Sequence, residues 1–501
     1  MNSSIYDRNI SDKSVRRLKR ARLSHVLLAT VLVTSLTGCK SGGGGGGGGG
    51  SGGGDNVLDA LAEQDFSGGV LSSYFVKSFA AFEDAATRLR ENTARYTVQK
   101  STWRFKGTED YFSNYPIASA RIEYAHAVGL TGKGQTVSIV DLGFLTTHEA
   151  LAGKTLYEPG YALEPGSHGT AVASVLAGLS SNMIGVAPGA NLALGEFVTD
   201  EKLAAATREA TRLKAVAQNN SWGYPTVGAT SEGFKQVFGS KSGAEYLSAL
   251  DGYTRNGVVV FAVINEEPRT GASLMEALPA LRPSLESGWL AVVNAVPKFD
   301  EDRILSATRI SAGCLEAAKW CLTADGSWTA ASGASATSYE FVTGSSFAAP
   351  QVSGALALLG EAFPNLTPHD LRIRLLASAD NNFYQHDAQQ ELVPGFRHGY
   401  NQEFGHGFLN LRAALLPIGT PTVQMESGDA VESDRPLLVS GGTSGDAMAV
   451  SMAQHKVLVT DSFAGDFLVG GETLVGAMAA APLMEHRILF ATSGSLNPNY
   501  S

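Results

Sequence analysis

Three short segments of this chain carry side chains of the types that do nucleophilic chemistry. Val137 to Gly143 (VSIVDLG) ends a β-rich apolar run on an acid, Asp141. Gly166 to Ala173 (GSHGTAVA) places His168 at the start of an apolar stretch with helical character, and Gly344 to Pro350 (GSSFAAP) does the same for Ser346. Alone, each has an ordinary reading. A strand-end aspartate forms turns, a histidine before Gly-Thr caps or satisfies a neighbour, and a serine that opens a helix is an N-cap. Together they supply an acid, a base and a nucleophile, each at the end of an element. A serine hydroxyl is a poor nucleophile until a base takes its proton. Histidine does this near neutral pH and returns the proton to a leaving group. A buried carboxylate holds the imidazole in the needed tautomer and stabilises its charged form. Glycines beside His168 and Ser346 are expected to let a substrate backbone approach closely. The small-residue helix start at Ser346 is expected to leave a backbone N–H for a developing oxyanion.

Such groups need rigid elements behind them. Gln135 to Val140 is a β-rich run, and Gly257 to Ile264 and Trp289 to Val296 are nearly continuous apolar runs, the pattern of strands buried on both faces of a parallel sheet. Helical stretches alternate with them at Glu201 to Ala217 and Ala244 to Arg255, followed by Ser346 to Leu359 and Thr367 to Ser378. Thr367 is placed as an N-cap, with Pro368 in the first helical position. The expected fold class is α/β, with a parallel β-sheet and helices on both faces. Reactive side chains then belong at the carboxyl ends of strands or on the helices that follow.

The chain order Asp, His, Ser and the three segments resemble the D-[ST]-G, H-G-T and G-T-S-x-A-x-P motifs of the subtilisin-like serine proteases. The resemblance covers residues 108–415. Within the family it is most similar to the bacterial autotransporter branch, through Thr108, Glu109 and Tyr111, Ile117 to Gly134, Asn219 to Gly223, the Cys314/Cys321 pair and Gly405 to Asn410. It implies a subtilisin-like domain in which Asp141, His168 and Ser346 are catalytic. It also implies that Asn265 donates to the oxyanion and that Ser221, Trp222 and Gly223 border the substrate strand. Losing such an asparagine costs about 10²–10³ in turnover in subtilisin. The sequence departs from the pattern at Leu142, Ala171, Ser345 and Ile264. The last matters most, because the family has glycine before the asparagine and a β-branched residue does not readily take positive φ. The expected function is a surface serine endopeptidase acting on protein or peptide substrates. The alternatives are a catalytically silent surface adhesin that binds other surface proteins and, more remotely, a solute-binding lipoprotein.

The rest of the chain bears on location. Residues 1–38 read as a lipoprotein signal peptide, with basic residues from Arg16 to Arg22 and an apolar stretch from Val26 to Leu36. Leu36-Thr37-Gly38-Cys39 resembles a lipobox, which makes Cys39 the expected lipidation site; an ordinary signal is the alternative. Twelve of the 57 glycines lie between Gly42 and Gly54, so residues 39–54 read as anchor cysteine and flexible tether. The expected location is the outer membrane of a Gram-negative bacterium. Residues 55–107 read as a spacer or pro-segment. Residues 416–501, with nine acids and three bases, read as a linker or tail. They resemble the start of an autotransporter C-terminal region and are too short for a complete barrel. A net charge of −10 argues against a nucleic-acid partner that works through phosphate neutralisation. With Cys39 assigned to the lipid, Cys314 and Cys321 remain as a disulfide of short span, or as two free buried thiols. His148 and Glu149 are expected on a loop surface. His386, His398 and His406 lack metal-ligand spacing, and no metal or cofactor is expected. A structural calcium, bound by many subtilisin relatives, has no motif here.

Overall fold

The computed structural model describes residues 79–104, 111–266, 269–424, 430–432 and 456–470. Near the N-terminus lie helix α1 (Glu83–Asn92), the antiparallel pair β1 (Ser101–Arg104) and β2 (Tyr111–Asn114), and helix α2 (Ile122–Ala127). The central elements follow: β3 (Thr136–Asp141), β4 (Leu156–Tyr157), α3 (His168–Ala177), β5 (Asn191–Glu196), α4 (Asp200–Arg212), β6 (Ala217–Asn220), α5 (Lys241–Tyr253), β7 (Val258–Ala262), β8 (Trp289–Phe299), β9 (Ile304–Arg309) and β10 (Cys321–Ala324). Strands β4, β5, β3, β6, β7, β8 and β10 pair in that order, all parallel, and β9 adds antiparallel to β8.

Continuous apolar runs form these strands because both faces are covered. The period of two divides each strand between two cores. Val258, Val260 and Ala262 join one core with Leu290 and Val292, whereas Val259 and Phe261 join the other with Trp289, Ala291 and Val293. The first core is closed by α3 and by α6 (Ser345–Ala362), and the second by α4 and α5. Every residue of α6 is buried except Glu361. That carboxylate accepts the backbone N–H groups of Thr131, Gly132 and Lys133 at 2.8, 2.6 and 3.1 Å. It thereby ties the end of α6 to the loop that enters β3. Helix α7 (Pro368–Ser378) starts as expected: Thr367 and Asp370 form a capping box, with Pro368 in the first turn.

The packed unit begins earlier than residue 108. Phe79, Ala86, Leu89 and Tyr96 lie in the same core as α3 and α6. The Gln99 side chain exchanges two 2.9 Å hydrogen bonds with the backbone of Thr329. Tyr96 Oη donates to His126 Nδ1 at 2.8 Å, and His126 Nε2 donates to the Val186 carbonyl at 2.9 Å. Residues 79–104 of the stretch read as spacer or pro-segment are thus an integral part of this domain.

Part of the stretch read as a linker or tail also packs on this domain. After the antiparallel pairs β11 (Ser327–Ala331) with β12 (Tyr339–Thr343) and β13 (Ala388–Val393) with β14 (Phe396–Tyr400), and the helix α8 (Leu411–Leu415), the chain folds back. Strands β15 (Thr422–Gln424), β16 (Ala430–Glu432), β17 (Lys456–Thr460) and β18 (Asp466–Gly470) form an antiparallel sheet in the order β16-β15-β17-β18. Arg374 of α7 fastens it. Its guanidinium donates to Asp461 Oδ2 at 2.7 Å and to the carbonyls of Ala414 and Leu416 at 2.6 Å each, and both charged side chains are fully buried. Asp461 also accepts from the amides of Ile418, Phe463 and Gly465. Removing one partner of a buried pair strands the other charge and costs about 3–5 kcal/mol. Asp461→Ala is expected to lower the guanidinium midpoint accordingly and to expose β17 and β18 to limited proteolysis. An unchanged midpoint would show that the strands dock without the pair.

Candidate active site

Asp141 is the last residue of β3 and is wholly buried. Its Oδ1 accepts the Leu142 N–H at 2.7 Å and lies 2.6 Å from His168 Nδ1. A carboxylate can only accept, so Nδ1 carries the proton and Nε2 keeps its lone pair. Nε2 has no partner among the described residues. His168 opens α3, whose first amides dock on the turn after Asp141. Gly169 N–H donates to the Leu142 carbonyl at 2.9 Å, and Thr170 N–H donates to that of Gly143 at 3.1 Å. This approach leaves no room for side chains. A Cβ on Gly143, at φ +78°, would meet Gly166 Cα at 2.8 Å, and one on Gly169 would meet the Phe144 ring at 2.8 Å. The glycines around His168 therefore let two segments of the chain meet, where a role in substrate approach was expected. Leu142 takes part through its backbone alone, which explains why a hydroxyl residue is dispensable there.

Ser346 is the second residue of α6, so its N–H has no acceptor within the helix. Gly344, at φ +157° and ψ +162°, occupies a region open to glycine almost alone, with Asn265 beside it. The Ser346 hydroxyl faces the Ser221 carbonyl at 3.4 Å. Its own carbonyl accepts Ser221 Oγ at 2.7 Å. Pro350 makes that bond available: four residues on, it lacks the N–H that would otherwise take the Ser346 carbonyl into the helix. The His168 ring lies 5.7 Å from that of Phe347, which brings the histidine alongside the serine's helix turn.

Of the three residues expected along a substrate strand, Ser221 adjoins Ser346. Trp222 is a core residue, stacked 5.2 Å from Phe197 and edge-on to Phe261 at 5.2 Å. Gly223 lies under Ile264, whose Cδ1 would stand 3.2 Å from a Cβ added there.

Asn265 follows β7 and is partly exposed. Its Oδ1 accepts both the N–H and the hydroxyl of Ser345 at 2.9 Å, and the same hydroxyl lies 2.5 Å from the Val263 carbonyl. With Oδ1 so engaged, Nδ2 is the side chain's free donor. Ile264 is not among the residues at positive φ, so the bend before Asn265 does not require glycine. Its N–H donates to Glu276 Oε2 at 3.2 Å, and its carbonyl accepts from Ala312 N–H at 2.8 Å.

Glu276 was not singled out from the sequence; its signal was an acid inside the apolar run Leu274 to Leu278. It is 2% exposed, and burial pushes its carboxyl up to about 7. Cys314 and Cys321 are joined, with S–S 2.08 Å and Cα atoms 6.0 Å apart. The short helix between them reaches the same region: Glu316 Oε2 accepts Ala272 N–H at 2.7 Å and Trp320 Nε1 donates to the Glu276 carbonyl at 3.0 Å. His148, expected at the surface, is buried, with Nε2 donating to the Ser338 carbonyl at 2.8 Å. Glu149 stays partly exposed. His398 and His406, eight residues apart, meet with their Nδ1 atoms 3.1 Å from each other. Cys39, with the signal and tether, lies outside the described residues.

The sequence profile of the Subtilase family matches residues 132–407, a span that contains Asp141, His168, Asn265 and Ser346. The chain is similar to an extracellular serine protease of Serratia marcescens, at 23% identity over 376 residues, covering 62% of this chain and 34% of that protein. It is also similar to Subtilisin DY of Bacillus licheniformis, at 26% identity over 313 residues, covering 60% of this chain and 97% of that protein. The match thus spans about a third of the Serratia protein and nearly all of the Bacillus one. Among solved structures, fervidolysin from Fervidobacterium pennivorans, a keratinolytic enzyme related to subtilisin, aligns with a TM-score of 0.43 at 23% identity, over 61% of this chain and 47% of that one.

The disulfide yields a prediction independent of chemistry. Protein made through an export route should leave Cys314 and Cys321 unalkylated until a reductant is added, as read by intact mass. Replacing both with serine should lower stability by no more than about 2.5 kcal/mol, the chain-entropy value for so short a loop. Two alkylated cysteines without reductant would contradict the bridge.

Proposed function

The chain belongs to the subtilase family, and from that premise we propose that it is a serine endopeptidase that hydrolyses peptide bonds in protein or peptide substrates. The observation that carries the reading is the 2.6 Å bond that His168 Nδ1 donates to buried Asp141, which leaves Nε2 unpartnered among the described residues, with the imidazole 5.7 Å from the ring of Phe347, the residue after Ser346. In this mechanism the Ser346 hydroxyl turns from the Ser221 carbonyl toward His168 and loses its proton to Nε2 as Oγ attacks the scissile carbonyl. Asp141 fixes the tautomer and stabilises the imidazolium. The tetrahedral oxyanion accepts from Asn265 Nδ2 and from the Ser346 N–H. Collapse of this intermediate passes the proton from His168 to the leaving amine. Water, activated by the same histidine, then releases the acyl group. Every step uses side chains and backbone amides of this chain, and no cofactor is invoked.

The silent-adhesin alternative drew on Leu142 and Ile264. At Leu142 the bonds to Asp141 and Gly169 use the backbone while the side chain packs on the second core, and the bend at Ile264 has no positive φ; both favour the catalytic reading. We further propose that Cys39 carries the lipid anchor, with residues 41–54 as its tether and the outer membrane as its location.

Two measurements test these readings. On a casein-derived peptide, Asp141→Ala, His168→Ala and Ser346→Ala are each expected to remove nearly all kcat/KM, and their combination should cost little more, because base and nucleophile fail together. Asn265→Ala should retain residual turnover, with a loss of about 3–4 kcal/mol in transition-state stabilisation. Wild-type protein no faster than Ser346→Ala would defeat the protease reading. For the anchor, metabolic labelling with a fatty-acid analogue should mark wild type and spare Cys39→Ala, which should also be released from membranes. Equal labelling of both would rule the anchor out.

A further inference from the structure

We propose that Glu276 is a positioning residue for this reaction, its carboxylate clasping the peptide that aims Asn265 at the oxyanion. The inference rests on the protease reading above. The residue accepts two backbone donors from either side of the bend after β7. Oε2 takes the Ile264 N–H at 3.2 Å, and Oε1 takes the Ser273 N–H in a short bond. The Ile264 N–H belongs to the Val263–Ile264 peptide, and the carbonyl of the next peptide, which leads into Asn265, is held by Ala312 N–H at 2.8 Å, so Ile264 is fixed on both sides and the asparagine starts from a fixed backbone. Glu276 is itself held from behind by Trp320, and the neighbouring amide of Ala272 is held by Glu316. Both of those residues lie on the helix closed by Cys314 and Cys321. In this chain a buried carboxylate and a disulfide-closed helix thus brace the bend at which the family's glycine is replaced by Ile264.

The chemistry of the clasp requires a carboxylate. Two N–H groups converge on one side chain, one at each oxygen; an ionised carboxyl offers both as strong acceptors, whereas protonation turns one into an O–H donor that accepts only weakly. A glutamine of the same shape turns one acceptor into a donor and sets N–H against N–H. The charged groups facing Glu276 are Arg269, from its own segment, and Glu316, from the disulfide-closed helix. Burial pushes the Glu276 carboxyl up to about 7; the Ser273 amide, Arg269 and the Ile264 amide work against that rise, and Glu316 adds to it. The clasp is therefore expected to weaken as pH falls and the carboxyl takes up a proton.

The test uses wild type, Glu276→Gln, Asn265→Ala and the double variant of the full chain. It measures kcat and KM on the peptide substrate from pH 5 to 9, and amide hydrogen exchange at Val263 to Glu266. The expected results are a kcat lower by about 10- to 100-fold in Glu276→Gln, the scale of a small misplacement, with KM within about threefold. The double variant should be no slower than Asn265→Ala by more than about threefold, because the two act through one group. Exchange at Ile264 should be faster in Glu276→Gln. In wild type, Ile264 protection, corrected for intrinsic rate, should fall as pH drops from 8 to 6; this decides the matter even if the variant does not fold. The proposal is overturned if Glu276→Gln keeps wild-type kcat, if its loss multiplies with that of Asn265→Ala, or if Ile264 exchange is indifferent to both the substitution and pH. Faster Ile264 exchange in a chain whose wild type has no activity would overturn the protease reading instead.

Discussion

The bond between Asp141 and His168 imposes a demanding constraint on the chain. The last residue of a buried strand must touch the first residue of a helix that starts 27 positions later. Two loops must cross nearly in contact for this to happen, and their backbones meet at Gly143 and Gly166, where one added Cβ would stand 2.8 Å from the other strand of chain. The strand in turn must be immobile. It lies in the middle of the parallel sheet, flanked by β5 and β6, and its entry loop is tied to the end of α6 by Glu361. That same helix carries Ser346 at its other end. Asp141, His168 and Ser346 are thus referred to one rigid frame, which is what the proposed catalytic geometry, accurate to a fraction of an ångström, requires.

The frame was readable from the sequence wherever its cause was local. Buried parallel strands must be apolar on both faces, so Val258 to Ala262 and Trp289 to Val296 declared themselves. Thr367-Pro368 announced a helix start through its cap. The three reactive segments stood out because each combined a chemical group with the end of such an element. What escaped notice depends on partners distant in sequence. Phe79 and Tyr96 look like parts of an isolated amphipathic segment until the core they enter is known. Strands β15 to β18 are short and weakly patterned, and their anchor, Arg374 with Asp461, joins positions 87 apart. His148 reads as a loop residue, yet the turn after Asp141 folds it inward against Ser338.

Two departures from the family pattern illustrate how function can survive a changed residue. Leu142 contributes an amide to Asp141 and a carbonyl to Gly169, and neither depends on its side chain. Ile264 replaces glycine in a bend whose backbone is fixed by Glu276 and Ala312 without positive φ. The side chain that results does have an effect: its Cδ1 lies over Gly223, two residues from Ser221, whose carbonyl faces the Ser346 hydroxyl. Asn265, the proposed oxyanion donor, is meanwhile oriented by Ser345, which holds Oδ1 through both its amide and its hydroxyl. The serine that substitutes for the family's threonine therefore retains the atoms that matter.

The central claim is that His168, held by Asp141, makes Ser346 a nucleophile. A fluorophosphonate probe tests it most directly, because it reacts with a serine only when a neighbouring base activates the hydroxyl. The account predicts a single labelled peptide containing Ser346, with labelling abolished in Ser346→Ala and strongly slowed in His168→Ala. A folded wild-type protein that stays unlabelled, or that is labelled at another serine, would contradict it.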